Sequence, residues 1–282
     1  MFTIKEKRVL APKVTLLRIE APYIVKNAKP GQFVILRVEE QGERIPMTIT
    51  EANQTDGTIT IIFQVVGATT TKLNQLNVGD SLSDFVGPLG KPTHLEGLKK
   101  VAVIGGGVGC AIAYPVAKAL HDQNTIVHTI IGFRNKDLIF LENEFKACSD
   151  LLIVTTDDGS NGNQGFVTDA LKKLLENGET YDQVITIGPL PMMKFVSLTT
   201  KPYGIKTIVS MNPVMIDGTG MCGGCRLTVG GEMKFACVDG PEFDGHLVDF
   251  DEAIRRNQMY AEFERHALEK DCNLLKEADH VK

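Results

Sequence analysis

The sequence has no tryptophan, few aromatic residues and no excess of positive charge. Aromatic residues occupy 6% of the 282 positions, and 35 acidic against 30 basic side chains give a formal net charge of −5. No basic cluster with interleaved aromatic residues appears, so we do not expect a nucleic-acid surface. A secretory leader is not expected either, because Lys5, Glu6, Lys7 and Arg8 interrupt any apolar run at the N-terminus. These absences predict a cytoplasmic protein.

Long apolar runs are also lacking. Residues 101–117 carry no charge, but their glycines and Pro115 favour a strand, a turn and a helix over a membrane span. The six cysteines, in a chain without a leader, indicate metal or redox chemistry and not a disulfide framework. Cys110, Cys148 and Cys272 show no ligand spacing, and we expect them to be ordinary thiols. No contact with a membrane is expected.

The first 95 residues predict a small antiparallel barrel. Strand-forming runs separated by turn residues cover 14–19, 33–38, 47–50 and 58–66, and one helix is expected over 70–76. Two segments in this region carry residues that a barrel does not require and that could bind a ligand.

The first, Arg44-Ile-Pro-Met-Thr48, ends a loop and opens a strand, so that its hydroxyl and backbone groups would face a planar ring. The second, Gly67-Ala-Thr-Thr-Thr71, leads into the helix and would offer amide groups and a positive helix end to a phosphate. Each has a simpler interpretation, a solvated turn for the first and a helix N-cap for the second.

Residues 96–212 predict a parallel α/β sheet that binds a nucleotide. A buried strand over 99–104 runs into a glycine turn over 105–109 and then a helix over 111–120, with Cys110 at the place of the third glycine of a dinucleotide-binding turn. Further strands are expected over 125–131, 151–155 and 184–187. The ligand should lie at the carboxyl ends of these strands. Arg134 follows one such end and either pairs with a ribose or phosphate or is a surface arginine.

A third region, residues 217–237, predicts a ligand cage. Cys222 and Cys225 form a Cys-x2-Cys turn rich in glycine, and a short hairpin returns the chain to Cys237. Asp217 is the candidate for the missing fourth ligand. Because thiolates suit both zinc and iron–sulfur clusters, the spacing leaves a zinc knuckle and an iron–sulfur cluster open.

Taken in order, these motifs resemble the ferredoxin–NADP⁺ reductase superfamily. The resemblance spans nearly the whole chain. Within the superfamily it is most specific to one branch, which holds dihydroorotate dehydrogenase electron-transfer subunits and the small subunits of electron-bifurcating transhydrogenases. The resemblance implies an antiparallel flavin-binding barrel over 1–95, followed by a parallel-sheet NAD-binding α/β domain over 96–212. A small C-terminal [2Fe-2S] cage over 213–248 and a C-terminal helix and tail over 249–282 complete the expected division. From the residues themselves we expect a loop over 238–245, and a helix from Phe250 toward Leu268 that Asp249 and Glu252 open as a capping box.

The resemblance also implies three cofactors, which are FAD, NAD(H) and a [2Fe-2S] cluster. The residues matched to the flavin site are Arg44, Pro46, Met47, Thr48, Ile62, Phe63, Gln64, Gly67, Thr69 and Thr70. Those matched to the nicotinamide nucleotide are Gly105, Gly106, Gly107, Val108, Gly109, Arg134, Asp157, Asp158, Gly188 and Pro189. The cluster ligands would be Asp217, Cys222, Cys225 and Cys237. No catalytic acid or base is required.

The implied function is electron relay, from NADH through the flavin to the cluster. Asp217 stands where the dihydroorotate branch has a cysteine and where the transhydrogenase small subunits have an aspartate, which favours the latter. The expected partner is a larger subunit with its own flavin and [4Fe-4S] clusters that binds NADP(H) and ferredoxin, in a heterodimer or higher assembly. The alternatives are an electron-transfer subunit of a dihydroorotate or sulfide dehydrogenase, and a zinc-stapled nucleotide-binding module.

Overall fold

The computed structural model describes residues 2–259 and 261–266. The strands are β1 (Phe2–Ala11), β2 (Val14–Glu20), β3 (Phe33–Arg37), β4 (Arg44–Thr48), β5 (Glu51–Asn53), β6 (Thr58–Gln64), β7 (Ser81–Leu82), β8 (Asp84–Leu89), β9 (Lys100–Gly106), β10 (Ile126–Phe133), β11 (Leu151–Thr156), β12 (Gln183–Ile187), β13 (Thr207–Ser210), β14 (Arg226–Val229), β15 (Glu232–Phe235) and β16 (Glu242–Asp244). The helices are α1 (Pro22–Val25), α2 (Ala68–Gln75), α3 (Cys110–Asp122), α4 (Glu142–Ala147), α5 (Val167–Glu176), α6 (Leu190–Thr200) and α7 (Phe250–Gln258). None of the helices in this part of the chain is long and apolar enough to span a membrane.

Two antiparallel sheets form the predicted barrel, in the orders β5-β6-β2-β1-β7 and β4-β3-β8. Leu17, Ile61 and Phe63 are among the side chains buried between them. The prediction of an antiparallel barrel is confirmed, although β1 was not expected. Only Ile4 and Ala11 of this strand are buried, and its run of charged residues hides the alternation that identifies a strand.

The middle strand of the smaller sheet, β3, serves two cores. Side chains along a strand alternate between its faces. Val34 and Leu36 point into the barrel, whereas Phe33 and Ile35 point outward into a separate apolar cluster that includes Cys225 and Cys237. One strand therefore joins the barrel core to the cysteine region.

The nucleotide-binding sheet has the order β11-β10-β9-β12-β13-β16. Its first five strands are parallel. The parallel sheet was predicted from four of these strands, and β13 is an addition. The last strand, β16, pairs antiparallel to β13. The expectation of a loop over residues 238–245 is therefore wrong at β16. A three-residue strand gives almost no periodic signal, and β16 exists because its edge pairs with β13, which lies far away in sequence.

The cysteine region has no core of its own. β14 and β15 form the predicted hairpin. Its apolar side chains pack with Leu190 and Met193 of α6 and with Phe33 and Ile35 of β3. The region thus fills the space between the barrel and the nucleotide-binding sheet.

The helix predicted after this region starts as expected. Asp249 caps α7 by accepting a hydrogen bond from the backbone N–H of Glu252 at 2.9 Å. The expected continuation toward residue 268, the tail and Cys272 extend into residues 267–282, which lie outside the described part of the chain.

Candidate functional site: two nucleotide-binding edges and a cysteine cage

The predicted flavin motif forms all of β4 and not the end of a loop. Ile45 and Met47 pack against the barrel core, so Arg44, Pro46 and Thr48 lie on the opposite face of the strand. Met47 therefore offers a ligand on that face only its backbone.

The second predicted flavin strand, β6, lies beside the nucleotide-binding domain. Phe63 points into the barrel, while Ile62 belongs to a core shared with α3. Gln64 is on the same face as Ile62 and is half-buried. Since β6 also contacts the turn Gly107–Gly109, the two predicted nucleotide sites are neighbours.

The predicted flavin-phosphate turn is the start of α2. The Thr70 hydroxyl accepts hydrogen bonds from the backbone N–H groups of Val66 at 3.0 Å and Gly67 at 2.9 Å, so it caps the helix. Thr69 donates its hydroxyl hydrogen to Glu43 at 2.7 Å. A side chain at Gly67 would meet nothing within 4 Å, which leaves room at the positive helix end. A phosphate there requires the exposed Glu43 carboxylate to turn away, because like charges repel.

The glycines of the predicted NAD turn and the neighbouring Gly188 have two distinct uses. A Cβ atom would lie 2.3 Å from Met192 Sδ at Gly106, 2.4 Å from the Ile187 carbonyl oxygen at Gly109, and 2.7 Å from Met192 Cε at Gly188. These three let β9, β12 and α6 approach closely. Gly107 has a φ of +55° and open space around it. Of the four, Gly107 offers its backbone to a ligand.

This turn lies where the order of the sheet reverses. The chain passes from the central β9 outward to β10 on one side and returns to β12 on the other. Ligands of such sheets bind in the crevice at this switch point, at the carboxyl ends of the strands. α3 and α6 both begin at the crevice, after Gly109 and Pro189.

Arg134, Asp157 and Asp158 come together at the carboxyl ends of β10 and β11. The backbone N–H of Asp158 donates to the Arg134 carbonyl at 3.3 Å, and all three residues are exposed. Hydrogen bonds from Ser160 hold the pKa of the Asp158 carboxyl below its usual value. The edge therefore presents an anionic group, which suits a ribose hydroxyl better than a second phosphate.

Two of the predicted cluster ligands, Cys225 and Cys237, form an inner pair. Both are buried, and their sulfur atoms lie 3.2 Å apart. Burial, followed by the neighbouring Cys225, raises the pKa of the Cys237 thiol to about 12. Two thiols held this close and dry are arranged to share one metal ion.

The other two, Asp217 and Cys222, form an outer pair at the surface. Backbone N–H groups, of Gly224 above all, lower the pKa of the exposed Cys222 thiol. The Asp217 carboxylate accepts from the Thr219 N–H at 2.9 Å, the Thr219 hydroxyl at 2.5 Å and the Met221 N–H at 3.3 Å. These bonds shape the loop and lower the pKa of Asp217.

The donor set fits a two-iron cluster. Within the described residues, no three His, Cys, Asp or Glu side chains are grouped so as to hold one metal ion. The four candidates instead form two pairs, in the order Asp-x4-Cys-x2-Cys-x11-Cys. The first part is the spacing of plant-type [2Fe-2S] sites with aspartate in place of the first cysteine. Pairs suit two irons, whereas a structural zinc ion needs four ligands around one point.

Three contributors to the site were not predicted as site residues. Asp84 holds Arg44 through an ion pair with 3.4 Å between Nη1 and Oδ2. Ile35 packs in the same apolar cluster as Cys225 and Cys237. Met192 fills the space between Gly106 and Gly188. Met192 lies three residues after Pro189 of the predicted loop, so the loop itself was a hint. The other two depend on distant parts of the chain.

Comparison with known protein families agrees with this geometry. Residues 103–198 match the oxidoreductase NAD-binding domain, and residues 212–249 match the iron–sulfur cluster binding domain of dihydroorotate dehydrogenase B. The barrel, the nucleotide-binding sheet and the cysteine region define a ferredoxin–NADP⁺ reductase-like oxidoreductase subunit, with NAD(H), FAD and an iron–sulfur cluster as its cofactors. The zinc alternative is thereby set aside.

Individual relatives narrow the class. The chain is 46% identical to a Thermotoga maritima homolog of the dihydroorotate dehydrogenase B electron transfer subunit, over 95% of this chain and 94% of that protein. It is 31% identical to the Fusobacterium nucleatum electron transfer subunit, over 86% and 95%. It therefore belongs to the family of dihydroorotate dehydrogenase B electron transfer subunits and their homologs.

A solved structure is also similar. It is described as the NADH-dependent reduced ferredoxin–NADP oxidoreductase of flavin-based electron bifurcation, and one of its chains matches with a TM-score of 0.91 and 45% identity, over 96% of this chain and 98% of that one.

Proposed function

We propose that this chain is the NADH-side subunit of an electron-bifurcating NADH-dependent ferredoxin:NADP⁺ oxidoreductase. The observation that carries the proposal is the similarity to that enzyme over nearly the full length of both chains, at 45% identity. Asp217 supports it, since the dihydroorotate branch has cysteine at this position. The four-part division at residues 95, 212 and 248 belongs to the same proposal.

In this proposal the crevice between β9 and β12 binds the nicotinamide nucleotide. Gly107 admits the pyrophosphate to the backbone, and Asp157 or Asp158 accepts from the ribose hydroxyls. Arg134 balances the charge of these carboxylates. The nicotinamide would then extend toward the barrel, where β6 lies next to the glycine turn.

The barrel residues orient the ring system of the flavin. Pro46 and Thr48 face it from β4, Gln64 from β6, and the amide groups at the start of α2 bind its phosphates. When bound, a flavin accepts two electrons together and releases them singly. Close packing of the barrel on the nucleotide-binding domain excludes water from the space between them.

The proposed cluster ligands are Asp217 and Cys222 on one side and Cys225 and Cys237 on the other. Relatives are described as electron transfer subunits, which agrees with a larger partner subunit. We propose that this partner carries its own flavin and [4Fe-4S] clusters and binds NADP(H) and ferredoxin. The described chain offers one barrel and one nucleotide-binding sheet, so it supplies only the NADH side.

The alternative is an electron transfer subunit for dihydroorotate or sulfide oxidation. The observation that speaks for it is the family match over residues 212–249. Protein isolated without oxygen, together with whatever co-purifies, separates the two. We expect iron, acid-labile sulfide and FAD, reduction by NADH, and ferredoxin-dependent reduction of NADP⁺. Reduction by dihydroorotate without any reaction with NADP⁺ would contradict the proposal. A colourless preparation would contradict both.

A further inference from the structure

Strand β4 reaches from the flavin face of the barrel to the loop that carries the outer pair. The Arg44 Nε donates to the carbonyl oxygen of Ile216 at 2.8 Å, although 172 positions separate the two residues. Ile216 directly precedes Asp217. The same strand presents Pro46 and Thr48 to the proposed flavin, so one short element contacts both sites.

The guanidinium of Arg44 is itself held in place. Arg44, Arg37 and Asp84 lie side by side across β4, β3 and β8. Asp84 forms ion pairs with Arg37 at 2.7 Å and with Arg44 at 3.4 Å, which leaves the Nε of Arg44 for the loop. Because Asp84 already holds its guanidinium, Arg44 loses less conformational freedom when it bonds to the loop.

Next to this contact the loop packs tightly on the barrel. Gly218 has a φ of +85°, and a Cβ atom there would lie 2.7 Å from Ile35 Cδ1 and 2.8 Å from Leu89 Cδ1. Only glycine allows this approach. A hydrogen bond on one side of Asp217 and a close packing contact on the other therefore fix its backbone to β3, β4 and β8.

We propose that Arg44 is a positioning residue for the cluster, which fixes the outer pair against the flavin strand and places a positive charge beside it. The inference rests on the proposed function, because it assumes that Asp217 and Cys222 bind an iron–sulfur cluster. It assigns Arg44 to the cluster loop and not to a phosphate of the flavin. Arg44 acts through the Ile216 carbonyl and through its charge, and it touches no reacting atom.

The charge predicts a direction for the reduction potential. The reduced cluster carries one more negative charge than the oxidised cluster, so a nearby cation stabilises the reduced form. R44Q should lower the potential, and we expect a change of about tenfold in the equilibrium constant for reduction, which is 59 mV for a one-electron couple. R44K keeps the positive charge but not the planar guanidinium that bonds to both Asp84 and Ile216. It should therefore restore most of the potential with an altered EPR spectrum.

The test uses the complex of this chain with its co-purifying subunit, isolated without oxygen as wild type and as R44Q, R44K, G218A and R37Q. R37Q is the matched control, because it removes a charge from the same Asp84 without removing a bond to the loop. The readouts are the EPR spectrum of the reduced cluster, its potential, and the rate of cluster reduction after NADH reduces the flavin. Thermal unfolding identifies variants that fail to fold.

We expect R44Q to lower the potential and slow cluster reduction, G218A to change the EPR spectrum at nearly constant charge, and R37Q to resemble the wild type. If R44Q folds poorly, R44K and G218A carry the test. A wild-type spectrum and potential in R44Q, or equal shifts in R44Q and R37Q, would overturn the inference. A wild-type complex without any cluster signal would instead refute the proposed function.

Discussion

The inner and outer pairs of the cysteine cage occupy opposite environments. Cys225 and Cys237 are buried in a core built from three parts of the chain, whereas Cys222 is exposed and follows Met221, whose exposed fraction is 85%. The inner pair is fixed by packing, and the outer pair by hydrogen bonds within its loop and by Arg44. One side of the proposed cluster therefore depends on the fold, and the other faces whatever approaches the surface.

The largest expected effect is a loss of iron when a cysteine of the inner pair is replaced. Cys225→Ser should abolish cluster binding, because a serine in the packed site lacks the soft sulfur and no solvent can replace it. Cys222→Ser should retain most of its iron, since its hydroxyl or water can reach an exposed iron. Iron per chain after isolation without oxygen measures both.

The matched control is Cys148→Ser, which alters a buried thiol away from the cage and should bind iron like the wild type. Equal losses of iron in the Cys222 and Cys225 variants would show that burial does not distinguish the two pairs.

A second effect is the pH dependence of stability that comes from a carboxyl near the core of the inner pair. Glu242 on β16 precedes Phe243, which belongs to the core around the inner pair, and it accepts a hydrogen bond from the Thr93 hydroxyl at 2.6 Å. Burial raises the pKa of this carboxyl from 4.5 to about 7. The folded state therefore binds the proton more tightly than the unfolded state, so stability is full below pH 4.5 and falls as pH rises toward 7.

Glu242→Gln should remove this loss, which amounts to at most about 3 kcal/mol above pH 7 at 1.36 kcal/mol per pKa unit. Urea unfolding at pH 5 and pH 8 measures it, and the variant should be more stable than the wild type only at pH 8. Glu232→Gln, an exposed carboxylate in the hairpin, should show no such gain. The same pH dependence in the Glu242 variant would exclude this carboxyl as its source.

The smallest expected effect is a change in reduction potential when Asp217 of the outer pair is replaced. Asp217→Cys replaces a hard oxygen ligand by a soft thiolate, which favours the lower oxidation state of iron. We expect the cluster to be retained with a potential raised by about tenfold in the reduction equilibrium, or 59 mV, and with a changed EPR spectrum. An unchanged potential and spectrum would mean that Asp217 is not a ligand.

Local signals in the sequence predicted much of the architecture. The strand, glycine turn and helix around Gly107 are adjacent in the chain, and so are the Cys222 and Cys225 turn and its hairpin. Such patterns need only short-range geometry. Six strands were not predicted, namely β1, β5, β7, β8, β13 and β16, and the first and last of them show why. β1 carries a charged run on a half-exposed strand, and β16 is defined by its partner.

The site divides in the same way. Sequence identified Arg44 but not its partner, because no pattern links a barrel strand to a loop 172 positions away. It identified residues 105–109 as a phosphate turn, whereas Gly106 and Gly109 allow close packing and Gly107 is open. Spacing also could not decide between zinc and an iron–sulfur cluster; the paired arrangement of the ligands and the family match did so.

By itself, then, the sequence determined the order of the three parts, the residue types offered to each cofactor and the relay function that the resemblance implies. Only the tertiary structure decided that the cysteine region shares its core with β3 and α6, and that Cys225 and Cys237 are buried while Cys222 is exposed and Asp217 half-buried. It also decided that Arg44 and Gly218 hold the loop against the barrel. The physical reason is that burial and contacts between distant residues arise from packing, which local sequence patterns do not encode.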